Sequence, residues 1–301
     1  MFAKACERVY KFTRPLIIST RTVDGTVSSS CGTFIIINPE GWILTAGHLF
    51  DSFVKYQQDM KKIKEVEEIN ARKASMAVPG AMTLPDTIQL DPKWITNHSF
   101  WWGGDGLRIT SVYVNREIDI ALAKLDGFRP DMVQEYPIFR DPDTMRPGTS
   151  ICRTGFPFAN IATDFDEGSK SFRIRNGVLP LPFFPNDGIH TRNVLKQNKS
   201  KEGNYDMLYV ETSTPGLKGQ SGGPIFDTNG HIYAMQVQTN HIPLGFHPIS
   251  EYDGKSIVEN QFLNVGIGVH GKLLQQIMRD HHISFKVEGD SSEEEQYIIN
   301  E

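Results

Sequence analysis

Three short runs of this chain carry side chains whose chemistries complement one another: Thr45-Ala46-Gly47-His48, Asp119-Ile120-Ala121-Leu122 and Gly219-Gln220-Ser221-Gly222-Gly223-Pro224. A serine hydroxyl is a weak nucleophile until a neighbouring imidazole removes its proton, and a carboxylate on the other ring nitrogen holds that imidazole in the right tautomer. His48 is therefore a candidate base toward Ser221 and later an acid toward a leaving group, with Asp119 as the acid that orients it. Attack on a carbonyl develops an oxyanion. The backbone N–H groups of Gly219 and Ser221, set in a glycine-rich turn, are candidate donors to it. Singly, such a run is also a tight turn, and a lone His or Asp a surface or capping residue. Together the three residue types compose acyl transfer.

The flanking residues supply the elements that must position this chemistry. Phe34 to Ile37, Asn38-Pro39-Glu40-Gly41, then Trp42 to Ala46 read as a strand, a turn and a second strand that delivers His48 at its end. From Ile118 to Leu125 the chain alternates, so that Ile118, Ile120 and Leu122 share one face while Asp119 faces the other way at the strand's start.

The chain order His48, Asp119, Ser221 distinguishes this arrangement from the subtilisin and α/β-hydrolase orders. On these motifs the chain resembles the trypsin-fold (chymotrypsin-like) serine proteases, closest to bacterial intracellular and HtrA-type members, from about Val27 to about Ile277. Pro147 to Pro157 is similar to the family's strand that ends in a Gly-x-Pro turn. Phe172 to Val178 resembles a strand of the HtrA-type enzymes, and Gly230 to Gln236 with Gly266 to Val269 resemble the strands that wall the specificity pocket. The resemblance implies an all-β fold of two six-stranded antiparallel β-barrels with a helical insertion and a C-terminal helix. Residues 1–140 would form the barrel carrying His48 and Asp119, and 141–286 the barrel carrying Ser221 and the closing helix. Residues 287–301 read as an acidic disordered tail, and the residues after the second barrel are too few for a PDZ module.

The implied activity is that of a serine endopeptidase acting through an acyl-enzyme, with a protein or peptide substrate and regulation by a protein partner or by loop ordering. Two rivals stand beside it: a latent scaffold or binding module with an intact triad, and an esterase. By the same resemblance Pro215, Lys218, Gln236, Val237, Gln238, Gly266 and Gly268 would line the substrate pocket. Pro215 stands where trypsins carry the Asp that selects Lys or Arg. Lys218 is either a rim charge favouring an acidic side chain or a solvated surface lysine. Two further departures matter. Leu49 replaces the cysteine that usually pairs with the residue at Cys31, and Gln220 stands where secreted zymogens carry the Asp that binds a newly cut N-terminus. Ordering of the oxyanion turn would thus come from intrinsic stability, a partner or oligomerisation.

Composition excludes other classes. The 301 residues suit one large β domain or two modest ones, and 26 Gly and 17 Pro suit many short strands and turns. A formal charge of −5 gives no global attraction to nucleic acid or to an anionic membrane. The run Pro15 to Ile18 is too short for a signal-peptide core, and no stretch approaches the roughly 18 apolar residues of a membrane span. A cytoplasmic protein is expected. Three cysteines, Cys6, Cys31 and Cys152, are an odd number, which favours buried apolar thiols over disulfides. No cofactor and no metal site are expected; His281 and His282 read as a solvated helix end without companion ligands.

Between base and acid the chain is long for this fold. Residues 51–75, with Phe53, Tyr56, Met60, Ile63, Val66 and Ile69 at helical spacing, read as a helix, either packed on the first barrel or serving as a partner-docking helix. Phe100, Trp101 and Trp102, three aromatics before a Gly-rich turn, read as packed on the barrel or as an exposed anchor. Residues 180–203 read as a long loop with a short strand at 190–194.

Overall fold

Runs of alternating apolar residues punctuated by Gly, Asn and Pro pair as strands through most of the chain. The computed structural model of the protein describes residues 1–75, 87–253, 255–258 and 261–289. After helix α1 (Ala3–Tyr10) come strands β1 (Thr13–Thr22), β2 (Val27–Ile36) and β3 (Trp42–Thr45), then helix α2 (Asp51–Ser75). Strands β4 (Ile95–Trp101), β5 (Arg108–Asn115) and β6 (Ile120–Asp126) follow. They form one sheet in the order β4-β1-β2-β3-β6-β5, whose inner face buries Leu16, Phe34, Leu44 and Leu122 completely. The β2–β3 turn is closed by Asn38, whose Oδ1 accepts from the Glu40 and Trp42 N–H groups at 3.1 and 3.3 Å.

The second half contributes β7 (Ile138–Phe139), β8 (Ser150–Arg153), β9 (Thr163–Asp166), β10 (Ser171–Ile174), β11 (Asn186–Leu195), β12 (Leu208–Thr212) and β13 (Pro224–Phe226). It continues with β14 (Ile232–Pro243), β15 (Ile249–Tyr252), β16 (Lys255–Val258), β17 (Phe262–His270), helix α3 (Gly271–Asp280) and β18 (Lys286–Val287). The ladder β13-β8-β11-β12-β17-β14 returns on itself through a β13–β14 pairing, so these strands close a barrel. The fold is chymotrypsin-like, with the helical insertion and C-terminal helix that the sequence implies.

The structure corrects three details. Among the described residues the first sheet curls without pairing its edge strands, β4 and β5. Its β4 edge ends where Trp102 turns inward against Phe34 and Phe50, and a Gly-rich loop separates it from β5. The boundary at residue 140 cuts through the second unit, because β7 pairs in parallel with β14 and β18 and so belongs to the C-terminal sheet. The expected tail begins too early: Val287 lies in β18, and Glu288 pairs with Arg140 at 3.1 Å. The rest of that tail, from residue 290, lies outside the described residues.

Helix α2 has the expected bounds and packs on β4. Phe53 and Tyr56 meet His98, and Phe53 meets Phe100, in a run of rings that continues to the buried Trp102. Asp59 pins the same contact by accepting from the Ile95 N–H at 3.0 Å. The strand expected at 190–194 extends over all of β11. Helix α3 is capped by buried His270, whose Nδ1 accepts from the Lys272 N–H at 3.0 Å; burial pushes this imidazole down to about 4, so it stays a neutral acceptor. His281, at the end of the same helix, packs its ring at a tilt against Tyr113, with ring centroids 4.0 Å apart. Cys6, Cys31 and Cys152 are free thiols, and Leu49 packs directly on Gly32. Among the described residues no helix is long and apolar enough to cross a membrane.

Candidate active site

His48 follows β3 on a single helical turn, Gly47–Phe50. Asp119 lies not in the strand, as the alternation suggests, but in the turn that precedes β6, with a left-handed φ of 70°. Left-handed backbone is uncommon outside glycine and concentrates at functional sites. The turn is built around Asn115, whose side-chain oxygen accepts from the Glu117 and Ile118 N–H groups, both at 3.1 Å, and whose carbonyl accepts from the Asp119 N–H at 2.9 Å. From across the cleft the Tyr209 hydroxyl donates to the Ile118 carbonyl at 3.2 Å. Burial, with a smaller push from the Asp119 charge, raises that phenol to about 12 and keeps it a donor.

This turn aims both oxygens of Asp119 at His48. Oδ1 accepts from the His48 backbone N–H at 2.7 Å, and Oδ2 lies 2.8 Å from Nδ1. The two-point grip sets the ring's orientation and assigns the Nδ1 proton to the carboxylate, leaving Nε2 as the basic nitrogen. Arg116 adds a second charge layer: its guanidinium donates to Asp119 Oδ1 at 2.9 Å and makes two bonds to Asp51, the first residue of α2, at 2.8 and 2.7 Å.

Ser221 is half-buried in the turn before β13. Its carbonyl accepts from Thr33 of β2 at 2.9 Å. Gly222 lies so close to Thr33, Thr45 and Ala46 that any side chain there would collide with them. The nucleophile's turn is thus seated against the hairpin that carries His48. Among the described residues no hydrogen bond joins the Ser221 hydroxyl to the imidazole; catalytic bonds of this kind tighten in the complex with substrate.

The Leu217–Gln220 turn closes through a Gln220 N–H to Leu217 O bond of 2.9 Å, with Gly219 at φ 104°, where glycine is at ease. Among the described residues neither the Gly219 N–H nor the Ser221 N–H has an acceptor, which is the state an anion-binding pair requires. Gln220 is completely buried. Its Oε1 accepts from the Leu217 N–H at 2.9 Å, and its Nε2 donates to the Phe184 carbonyl at 3.2 Å and Asn186 Oδ1 at 2.8 Å. Thr33 adds a bond of 2.7 Å to the Gly219 carbonyl. The turn is therefore ordered by contacts within the chain.

The residues assigned to the substrate pocket separate into groups. Gln236, whose carbonyl accepts from the Gly222 N–H, lies against Gly216 beside Pro215, and Gly266 lies against Arg153, which bonds the Gln236 side chain. Lys218 is exposed on another cleft, of about 270 Å³, beside Ser29, Ser30, Cys31, Phe158 and Gly219. Val237 packs into the hydrophobic core, and Gly268 faces Ile225 and Ala234. Gln238 is exposed on β14, its carbonyl bonded by Gln236 Nε2 at 2.8 Å. Sequence reasoning missed Gln220 as an ordering residue and missed Arg153, which is buried beside Gln236. The signal for Arg153 was an arginine directly after Ile151 and Cys152 at the end of β8.

The family model of the trypsin-like peptidase domain matches residues 32–235, a span that contains His48, Asp119 and Ser221. No curated protein matches the chain. Among solved structures, the HtrA-type protease AlgW with a tripeptide is similar at 16% identity and a TM-score of 0.45, over 93% of this chain and 63% of that one. The active form of the Rv3671c protease from M. tuberculosis is similar at 10% identity and a TM-score of 0.49, over 94% and 86%. The chain thus spans less than two thirds of the AlgW chain.

Proposed function

The chain belongs to the trypsin-like peptidase family, and from that premise we propose that it is a serine endopeptidase that works through Ser221, His48 and Asp119. His48 Nε2 takes the Ser221 proton as Oγ attacks the scissile carbonyl. The oxyanion accepts from the Gly219 and Ser221 N–H groups, and His48 then protonates the leaving amine. Water, activated by the same imidazole, releases the acid from the acyl-enzyme.

The observation that carries this reading is the double grip of Asp119 on His48 at 2.7 and 2.8 Å, with the Ser221 turn seated against the same hairpin. A peptide is favoured over a simple ester because β14 beyond Gln236, whose backbone is bonded to Gly222 and Gly223, pairs only with β17 among the described residues. Its other edge is open to an extended chain. The test is labelling with a fluorophosphonate probe. Wild type is expected to label, and Ser221→Ala and His48→Ala to lose the label. Unlabelled wild type would overturn the endopeptidase reading in favour of a scaffold.

A further inference from the structure

The wall behind Ser221 holds a charge that the acyl-transfer steps do not use. Arg153, the last residue of β8, is 1% exposed. Its guanidinium donates to Gln236 Oε1 at 2.9 Å, to Thr212 Oγ1 and to Thr214 Oγ1 at 3.3 Å. All of these acceptors are neutral, and Nε has no partner. Burial lowers the guanidinium only to about 10, so it remains a cation at neutral pH. A buried ion without a counter-charge is strongly unfavourable, and a core residue of similar shape would serve packing better. Nothing in the packing of β8 asks for an arginine at this position.

The location of this cation explains it. Arg153 is fixed by β8 pairing, opposite Asn186 on β11 and Ile225 on β13. A methyl group on Gly266 would overlap its guanidinium, and a methyl group on Gly216 would overlap the Gln236 amide that caps it. Gly216 lies in the segment leading into the nucleophile's turn. The Gln236 backbone is tied to the residues after Ser221, accepting from the Gly222 N–H at 2.8 Å and donating to the Gly223 carbonyl at 2.9 Å. Gly216 and Gly266 keep these two faces free of side chains. A substrate side chain entering from the Ser221 turn, that of the P1 residue whose carbonyl meets the nucleophile, would meet the Gln236 amide and, behind it, Arg153.

Resting on the endopeptidase reading, we propose that Arg153 sets the specificity of the site by receiving the carboxylate of a glutamate or aspartate at P1. The carboxylate takes the Nη1 hydrogen bond that Gln236 Oε1 holds in the free protein, the amide swings aside, and the cation gains its missing counter-charge. A neutral side chain of the same shape leaves Arg153 unpaired. The acidic preference considered for Lys218 at the rim is thereby assigned to the floor.

The test compares peptides that differ only by Glu or Gln at P1, with Asp and Asn as a second pair, alongside phosphonate labelling of the same preparation. For at least one pair, kcat/KM is expected to favour the acid by about 100-fold, the scale of a buried charge-assisted hydrogen bond. Arg153→Met is expected to bring that ratio near one, Arg153→Lys to retain part of it, and Lys218→Ala to leave it unchanged. A labelled enzyme that cleaves with no preference for either acid would overturn the proposal. So would a preference that survives Arg153→Met or collapses in Lys218→Ala; the acid-against-amide ratio of the wild-type protein and the Lys218→Ala arm can each overturn it even if substitutions at Arg153 prevent folding. Absence of both labelling and cleavage would overturn the endopeptidase reading itself, a result distinct from labelled protein with the wrong preference.

Discussion

The two sides of the cleft are held by different forces. On the first sheet, His48 and Asp119 belong to a chain of charges that runs through Arg116 to Asp51 and meets solvent: their side chains are 32, 22, 46 and 57% exposed in that order. On the second barrel, the turn of Ser221 is held by neutral amides and hydroxyls in the interior, with Gln220 completely buried and Thr33 bonded to Gly219. The difference follows from what each side does in the proposed reaction. The first must accept a positive charge on His48 during turnover, and carboxylates stabilise it where solvent still tempers their repulsion. The second must present two N–H donors to a developing negative charge. A carboxylate at 220 would oppose that charge, whereas an amide fixes the same geometry without it.

The charged side breaks most severely at its centre. Asp119→Asn is expected to lower kcat by about 10⁴-fold, because an amide that donates to Nδ1 selects the wrong imidazole tautomer. Asparagine is the informative substitution because it tolerates the left-handed backbone that Asp119 adopts at φ 70°. The melting temperature should therefore stay close to wild type. Activity within tenfold of wild type would show that the two-point grip on His48 is structural alone.

How much of this was legible in the sequence differs between the same two sides. The hairpin of His48 is announced by its own letters, apolar strands around Asn38 and Gly41, and α2 by the spacing of Phe53, Tyr56, Met60 and Ile63. These are local signals, and local pairing and helical periodicity honour them. The turn that holds Asp119 was harder to place, since alternation continues through Ile118 and Ile120 while the Asn115 side chain bends the backbone between them. The second barrel depends on distant partners. Its closure rests on β13 meeting β14 and β8, and two-residue strands such as β7 and β18 carry no periodicity to read. The roles of Arg153 and Gln220 were hidden for a related reason: a polar residue at a strand end or in a glycine-rich turn reveals neither its burial nor its acceptors until Gln236, Phe184 and Asn186 arrive from far along the chain.

The neutral side is expected to fail by a smaller factor and in a different parameter. Gln220→Leu preserves bulk but removes the bonds to the Leu217 N–H, the Phe184 carbonyl and Asn186 Oδ1, which loosens the turn carrying Gly219. A fall in kcat of about 100-fold with KM nearly unchanged is expected, the scale of losing one oxyanion donor. The rate of phosphonate labelling should drop in parallel. An effect on KM alone would mean that Gln220 shapes the substrate cleft and not the oxyanion turn.

The mildest substitution tests whether the exposed end of the charge chain matters at all. Arg116 makes ideal two-point contact with Asp51, yet its side chain is nearly half exposed, and ion pairs in that setting contribute little because water and salt compete for both partners. Asp119 also keeps its bonds to His48 when Arg116 is removed, since neither passes through the guanidinium. Arg116→Ala should therefore lower kcat/KM by less than about tenfold, and the difference from wild type should shrink as salt is raised. A loss beyond a hundredfold that persists in high salt would mean that Arg116 holds the Asp119 turn in place. The first side of the cleft would then depend, like the second, on fixed geometry more than on charge.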